Sequence, residues 1–253
     1  MLYSFSGFNN IIALGDIRNL NMVSLKERLS KYINTVIIYT GDFPLNGKYI
    51  NDLDMLENIE YTIASNNNIL LLIRGNHDNP EYFKAKSQFK KDLSEISSHI
   101  VLVPDYQIVS ITLLNGDIYN ILCVGGGYTL DRSIHSADIE DCAVKKIKLN
   151  PDKFKNINAV VSHAAPLIVY PMELTKNMKH FDSPLINAYS MYDKHIKTDI
   201  YKSRHILKVL YDFLISNNNI DCWIYGHYCK SNKMIYENTN FISLGLNEIQ
   251  KIK

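Results

Sequence analysis

The chain has 253 residues, of which 46% are hydrophobic and 21% are charged, and its formal net charge at pH 7 is +1. Because basic and acidic residues balance, no overall field favours binding to long nucleic acid or to an anionic membrane. The length and the ordinary globular composition suit one large α/β domain, or at most two small ones.

The sequence shows no sign of export or membrane insertion. Residues 1–10 lack the basic run and long apolar core of a signal peptide. No apolar run approaches the roughly 18 residues of a membrane span. We therefore expect a cytoplasmic protein without a membrane partner, and reduced thiols at its four widely spread cysteines: Cys123, Cys142, Cys222 and Cys229.

The first 75 residues alternate between strand and helix patterns. Apolar and β-branched runs predict three buried strands, at residues 11–14, 35–40 and 69–73. The spacing of apolar residues predicts one helix after the capping-box pair Ser24 and Glu27, and another at residues 49–64. This order of elements implies a parallel sheet with right-handed crossovers.

The middle of the chain changes character. Two strand-like runs, at residues 107–114 and 117–124, flank Asn115-Gly116, the strongest short-range signal for a β-hairpin. Three consecutive glycines follow at residues 125–127. Such a run predicts a backbone in an unusual conformation or in close packing with its surroundings.

The last third of the chain continues the α/β pattern after an interruption. Residues 166–200 show no clear periodicity and hold three of the seven prolines, so we interpret them as an excursion over one face, in the manner of a lid. The regular elements predicted around it are strands at residues 159–162, 221–225, 234–236 and 240–244 and a helix around residues 206–213. Without a repeat or a linker, residues 1–253 are predicted to form one domain.

Residues suited to binding a metal follow five of the predicted strands. They are Asp16, Asp42, Asn76 with His77, His163 and His227. Each alone has a plain explanation as a turn residue or a structural histidine, but metal-binding residue types after all five strands are improbable by chance. Carboxylate, amide and imidazole ligands suit manganese, iron, zinc or a similar divalent ion, and they do not suit a closed thiolate zinc site.

These motifs, in this order, resemble the calcineurin-like metallophosphoesterases. The matching segments are Gly15-Asp16, Gly41-Asp42, Gly75-Asn76-His77-Asp78, Ser162-His163 and Gly226-His227. They span nearly the whole chain, and Gly-Asn-His-Asp in this company is highly specific. The segment from Gly125 to Arg132 and the tripeptide Gly226-His227-Tyr228 are also similar to a bacterial and phage branch of the superfamily.

The resemblance implies a fold, a metal centre and a reaction. The fold would be a four-layer αββα sandwich with two metal ions at one edge. Asp42 would bridge the metals, while Asn76, His163 and His227 would complete the second metal site. A metal-activated water would attack phosphorus, and His77, oriented by Asp78, would protonate the leaving oxygen. The expected cofactor is one or two divalent ions per chain, with manganese first and iron, zinc or nickel as alternatives.

The chain departs from the family pattern at two positions. The family has Asp-x-His after the first strand and Gly-His-x-His after the last, but here Arg18 and Cys229 stand where the second histidines would be. Both changes fall on the first metal site, which Asp16 would share. Arginine stays protonated and does not ligate metals, so we hypothesise that Arg18 pairs with Asp16, binds phosphate and partly replaces the first metal's charge. Cys229 is either a ligand to a softer metal or an ordinary buried thiol.

Two functions remain open from the sequence. The first is a phosphoesterase with one tight metal or an unequal pair, in which His77, Asp78 and Arg18 act on a substrate held by Arg18 and Asn76. The second is a phosphoesterase fold that has lost catalysis and serves as a binding or scaffold module. The intact Gly75-Asn76-His77-Asp78 motif favours the enzyme. The substrate class, whether phosphoprotein, nucleotide or another small phosphoester, and the oligomeric state are not readable, but long nucleic acid is disfavoured.

Overall fold

The computed structural model describes residues 3–16, 22–45, 47–129, 144, 147–148, 150–169 and 184–253. Within these ranges there are twelve strands, six α-helices and a short 3-10 helix at Pro151–Phe154. The strands are β1 (Tyr3–Phe8), β2 (Asn10–Leu14), β3 (Thr35–Tyr39), β4 (Ile69–Leu72), β5 (Ile100–Leu102), β6 (Gln107–Leu113), β7 (Ile118–Val124), β8 (Ala159–Ser162), β9 (Cys222–Tyr225), β10 (Asn232–Tyr236), β11 (Thr239–Ser243) and β12 (Ile249–Lys251). The helices are α1 (Met22–Leu29), α2 (Tyr49–Ser65), α3 (Pro80–Phe83), α4 (Gln88–Ile96), α5 (Pro184–Ser190) and α6 (Ile196–Ile215).

The strands form two sheets. The five-stranded sheet has the order β12-β2-β3-β4-β5, and its strands β2 to β5 are parallel. This confirms the parallel arrangement predicted for the first 75 residues. The seven-stranded sheet has the order β1-β6-β7-β8-β9-β11-β10. Its strands β6 and β7 form the predicted antiparallel hairpin, while β7, β8, β9 and β11 run parallel.

Three apolar clusters bind the sheets and helices into four layers. One lies between the sheets and joins residues such as Ile38 from β3 to Ile224 from β9. A second packs α1, α2 and α4 on the outer face of the five-stranded sheet, and a third packs α6 on the outer face of the seven-stranded sheet. Every residue of β3 is buried, since a helix layer covers one face and the other sheet covers the other. The predicted αββα sandwich is confirmed.

Several elements lack a strong local signal and were not predicted. Strand β1 alternates half-buried and exposed residues and carries a bulge near Gly7, so its apolar pattern is weak. Strands β5 and β12 have three residues each, which is too short for periodicity to register. Helix α5 and the first turn of α6 fall within the excursion predicted at residues 166–200. Residues 170–183 lie outside the described ranges, so the lid stays a prediction.

None of the described helices combines the length and the apolar character that crossing a bilayer requires.

The inter-sheet cluster should carry much of the stability. We expect Ile38→Ala, at a fully buried position, to lower the free energy of unfolding by about 3 kcal/mol, because it leaves a cavity between two rigid sheets. Ile50→Ala on α2, where the side chain is 72% exposed, should change it by less than about 0.5 kcal/mol. Urea unfolding of both variants checks this, and equal losses would contradict it.

Candidate metal centre

The carboxyl ends of five strands meet at one edge of the sandwich. Asp16 follows β2, Asp42 follows β3 and Asn76 follows β4 in the five-stranded sheet; His163 follows β8 and His227 follows β9 in the seven-stranded sheet. Because these strands are parallel within each sheet, the segments after them emerge on the same side. The side chains predicted from the strand ends are therefore brought into one neighbourhood.

Three of these residues form the centre of the site. One ligand-type atom each from Asp42, His163 and His227 lie within 4.8 Å of one another. His163 is fully buried, and its ring centroid is 4.9 Å from that of His227. Its Nε2 atom is 3.5 Å from Asp42 Oδ2. A carboxylate and two imidazoles at this spacing are a ligand set for a divalent transition metal.

The hydrogen bonds of His163 fix which ring nitrogen faces the centre. Nδ1 lies 2.8 Å from the carbonyl oxygen of Thr40, which can only accept, so Nδ1 carries the proton. In a neutral ring Nε2 then presents a lone pair, and it lies 2.7 Å from Asn76 Oδ1. In this orientation of the Asn76 amide, Nδ2 donates to Thr129 Oγ1 at 2.6 Å. Two acceptors thus face each other, and a cation bound by both would resolve the conflict.

The Asp42 carboxylate adds a third acceptor that faces the centre. Its Oδ1 accepts a hydrogen bond from the His77 backbone N–H at 3.0 Å, whereas Oδ2 is buried and receives none from any residue in the described ranges. Burial is the largest influence on the Asp42 pKa and raises it, but His163, His227 and the His77 amide together hold the pKa below its ordinary value. The residues present therefore fit a divalent cation.

Hydrogen bonds of Trp223 and Ser162 hold the turn that carries His163. Trp223 Nε1 donates to Ser162 Oγ at 2.7 Å, and that hydroxyl donates in turn to the Ala164 carbonyl at 2.7 Å. All of these groups are buried. The histidine is therefore anchored on both sides along the chain, as a preorganised ligand requires.

Glycines precede the ligands because neighbouring ligands occupy the space of a side chain. A Cβ on Gly41 would lie 2.4 Å from His163 Nδ1, one on Gly75 would lie 2.0 Å from Asp42 Oδ1, and one on Gly226 would lie 2.4 Å from Asp16 Oδ1. The Gly-Asp, Gly-Asn and Gly-His pairs are thus more than turn formers. Each glycine lets its loop pack directly on a polar side chain of another loop.

Three non-glycine residues at the same edge have left-handed backbone conformations. Asp42 has a φ of 58°, His227 one of 70° and Cys229 one of 56°. Such conformations are costly for residues with a Cβ and concentrate at functional sites, where the surrounding structure imposes them. Their presence at two of the three central ligands supports a site built for function.

Asp16 and Cys229 lie beside this centre. Asp16 is fully buried and accepts the His227 backbone N–H with both carboxylate oxygens, at 3.2 Å each. Its carbonyl oxygen accepts from Asn247 N–H at 2.9 Å. The Cys229 thiol is 3.9 Å from Asp16 Oδ2 and 3.7 Å from the His227 carbonyl, which are both acceptors, so a protonated thiol fits there. Arg18 lies outside the described residues.

Asp78 forms contacts that were not predicted. Its buried Oδ2 accepts backbone N–H groups from Gly75 at 2.7 Å and from Asp42 at 3.0 Å. Burial, followed by the nearby Asp42 carboxylate, raises the pKa of Asp78 well above its ordinary value. The His77 side chain is exposed, and the bonds of Asp78 Oδ2 do not reach it, so the orienting role of Asp78 towards His77 stays a prediction. These bonds tie two ligand loops together.

Two residues that contact the candidate ligands were not predicted from the sequence. Thr40 supplies the carbonyl that selects the His163 tautomer, and Thr129 holds the Asn76 amide. Thr40 directly precedes Gly41-Asp42, and Thr129 ends the stretch that begins with the three glycines, so position relative to a motif was the only available signal.

The packing of Gly41 leads to a test with a matched control. Gly41→Ala places a methyl group against His163 at a φ of +102°, whereas Gly116 has a φ of +87° with nothing within 4 Å of its absent Cβ. Backbone strain should cost each alanine variant about 1 kcal/mol of stability, and Gly41→Ala should lose more because its methyl group would overlap His163. Only Gly41→Ala should also weaken Mn²⁺ binding, by about 10-fold or more, as measured by calorimetry. Equal affinities in the two variants would show that this contact does not position His163.

The chain is similar to a known protein family and to solved structures. The family model of the calcineurin-like phosphoesterases matches residues 10–231. No curated protein matches by sequence. A putative 5'-nucleotidase from Staphylococcus aureus in complex with alpha-ketoglutarate is 13% identical, with a TM-score of 0.50; the alignment covers 95% of this chain and 50% of that one. Phosphopantetheinyl hydrolase from Mycobacterium tuberculosis is 12% identical, with a TM-score of 0.50 and coverage of 97% and 96%.

These structural likenesses show the fold alone, and the chain spans about half the length of the nucleotidase. The family match, in contrast, covers most of the chain and includes all the strand ends that form the centre. This chain therefore belongs to the calcineurin-like phosphoesterase family, whose members are metal-dependent hydrolases of phosphate esters.

Proposed function

We propose that this chain hydrolyses a phosphate mono- or diester, using one tightly held divalent cation bound by Asp42, Asn76, His163 and His227. The observation that carries the proposal is the approach of His163 Nε2 and Asn76 Oδ1 to 2.7 Å beside the buried Asp42 Oδ2. A scaffold that bound no metal would have no use for three acceptors gathered in this way. Manganese is the expected ion because the donors combine hard oxygens with imidazole, and iron, zinc and nickel are the alternatives.

A divalent cation at this position would neutralise charge on the phosphoryl oxygens and lower the pKa of the attacking water. The protein's own residues would position the cation and supply a proton to the leaving oxygen. The exposed His77 imidazole is free to reach a substrate at the mouth of the site and to protonate the leaving oxygen. Its backbone N–H is bonded to Asp42 Oδ1, so the acid and a central ligand keep a fixed relation.

The first metal site, at Asp16 and Cys229, has fewer ligands than the second, which supports a centre with one metal ion or with two unequally bound ions. Asp16 already receives the His227 amide on both oxygens, and its neighbour Cys229 presents a thiol. Without the family's two histidines, the first metal site keeps only the Asp16 carboxylate and the Cys229 thiol besides the shared Asp42. We propose that Arg18 supplies a fixed positive charge there and binds the substrate phosphate. Cytoplasmic location and a small phosphoester substrate complete the proposal.

The first test is metal content. Protein purified without chelator should hold about one metal ion per chain, because the ligands for only one ion are complete. The double variant Arg18→His with Cys229→His should raise this towards about two, as measured by inductively coupled plasma mass spectrometry. Two ions in the unaltered protein would contradict the mononuclear centre. An absence of both metal and turnover would favour the scaffold function.

The second test concerns the acid. His77→Ala should lower the rate of hydrolysis of an aryl phosphate, or of its diester, by about 100-fold or more, because the leaving oxygen loses its proton donor. Metal content should not change. His205→Ala is the control, since this exposed histidine stacks on Tyr201 on α6, and it should retain full activity. Turnover that survives in His77→Ala would exclude the acid role.

A further inference from the structure

We propose that residues 125–129 form a positioning element for the metal centre, and that Thr129 is the residue through which it acts. It would hold the Asn76 amide with the oxygen towards the cation. This inference rests on the proposed function in one respect only, namely that Asn76 Oδ1 is a metal ligand. Thr129 would touch neither substrate nor metal, so it is a positioning residue.

The Asn76 amide needs such a partner because its two ends are nearly identical in shape. Its side chain is fully buried, and rotation by 180° would present NH2 in place of oxygen to a cation. In the observed orientation Nδ2 donates to Thr129 Oγ1 at 2.6 Å while Oδ1 faces His163. Thr129 is itself only 3% exposed, so water does not readily take its place as the acceptor.

The start of the segment is bonded to the residue just before the Gly75-Asn76 motif. Gly126 N–H donates to the Arg74 carbonyl at 2.8 Å, and Gly125 N–H donates to Asp105 Oδ1 at 3.1 Å. The other oxygen of Asp105 accepts from Arg74 Nε at 3.0 Å and from Nη2 at 2.6 Å. The segment is therefore tied to the Asn76 loop at residue 74 and again at residue 76.

The three glycines let the backbone pass through a narrow space between these groups. A Cβ on Gly125 would lie 2.2 Å from Asp105 Oδ1, and one on Gly127 would lie 3.3 Å from Ala164 Cβ. Gly126 has a φ of +88°, which glycine adopts without strain. The glycine run thus passes close to the Arg74–Asp105 pair and to the His163 loop before it reaches Thr129.

The two metal states should respond differently to loss of the Thr129 hydroxyl. With a cation bound, the amide oxygen must face it, so the NH2 group of Asn76 must face residue 129. In Thr129→Val that buried NH2 group would have no acceptor. The metal-free protein loses less, because the amide can turn and donate to Nε2 of a neutral His163. Only its carbonyl oxygen then faces residue 129, and a buried carbonyl tolerates the lack of a partner better than a buried NH2 group does. The hydroxyl therefore favours the metal-bound state over the metal-free state, which a purely structural role would not.

The experiment is calorimetric titration of metal-free protein with Mn²⁺. We expect Thr129→Val to weaken Kd by about 10- to 100-fold, and Thr129→Ser, which keeps the hydroxyl, to stay within about 3-fold of the unaltered chain. Thr129→Ala should fall between them, since the space it opens admits a water as substitute acceptor. If Thr129→Val fails to fold, the comparison of the alanine and serine variants gives the same answer.

Thr239→Val is the matched control. Thr239 is also 3% exposed and donates a hydrogen bond, to the Ile220 carbonyl, but it lies at the opposite end of β11 from the metal edge. It should lose stability without losing Mn²⁺ affinity. Unchanged affinity in Thr129→Val, an equal loss in Thr239→Val, or no Mn²⁺ binding by the unaltered chain would overturn the inference. Mn²⁺ binding with the expected series but no phosphoester turnover would instead overturn only the proposed function.

Discussion

The metal-binding edge depends on one close contact, the approach of His163 Nε2 to Asn76 Oδ1 at 2.7 Å in a buried site. In a neutral ring, neither atom can donate to the other, because the single ring proton lies on Nδ1 and is donated to the Thr40 carbonyl. Such a pairing is unfavourable in low dielectric unless a positive charge joins it. The arrangement persists because both side chains are held from behind, by one backbone carbonyl and by one hydroxyl. Affinity for a cation is therefore a consequence of restraints that lie outside the ligand shell.

Those restraints depend on the two sheets and the packing between them. Asp42 and His227 have left-handed backbone conformations, and Gly41 and Gly75 admit no side chain. These features lower local stability, and they are tolerated because each loop begins at a fully buried strand. The strands fix where a loop starts, and the hydrogen bonds between loops fix where it ends. Asp78 contributes to the second task by joining the backbone at residues 42 and 75.

Much of this could be predicted from the sequence, because the strands that position the ligands are short, apolar and followed by distinctive residues. The layered fold and the metal-suited strand ends both follow from local patterns and from a specific motif. The partners of Thr129 and Asp78 do not, since hydrogen bonds between loops far apart in sequence leave no periodic trace. Strand β1 was missed because its half-exposed alternation and its bulge dilute the signal. The contacts of Arg18 lie outside what the structure describes.

The anchoring of Asp16 also bears on the order in which the molecule assembles. Its carboxylate is bonded to an amide 211 residues later in the chain, and its carbonyl to Asn247, later still. During synthesis the loop after β2 must therefore wait until β9 and the residues before β12 have been made. Contacts of such long range slow folding, because a large loop must close before they are gained. The metal edge should thus be among the last parts of the domain to become native.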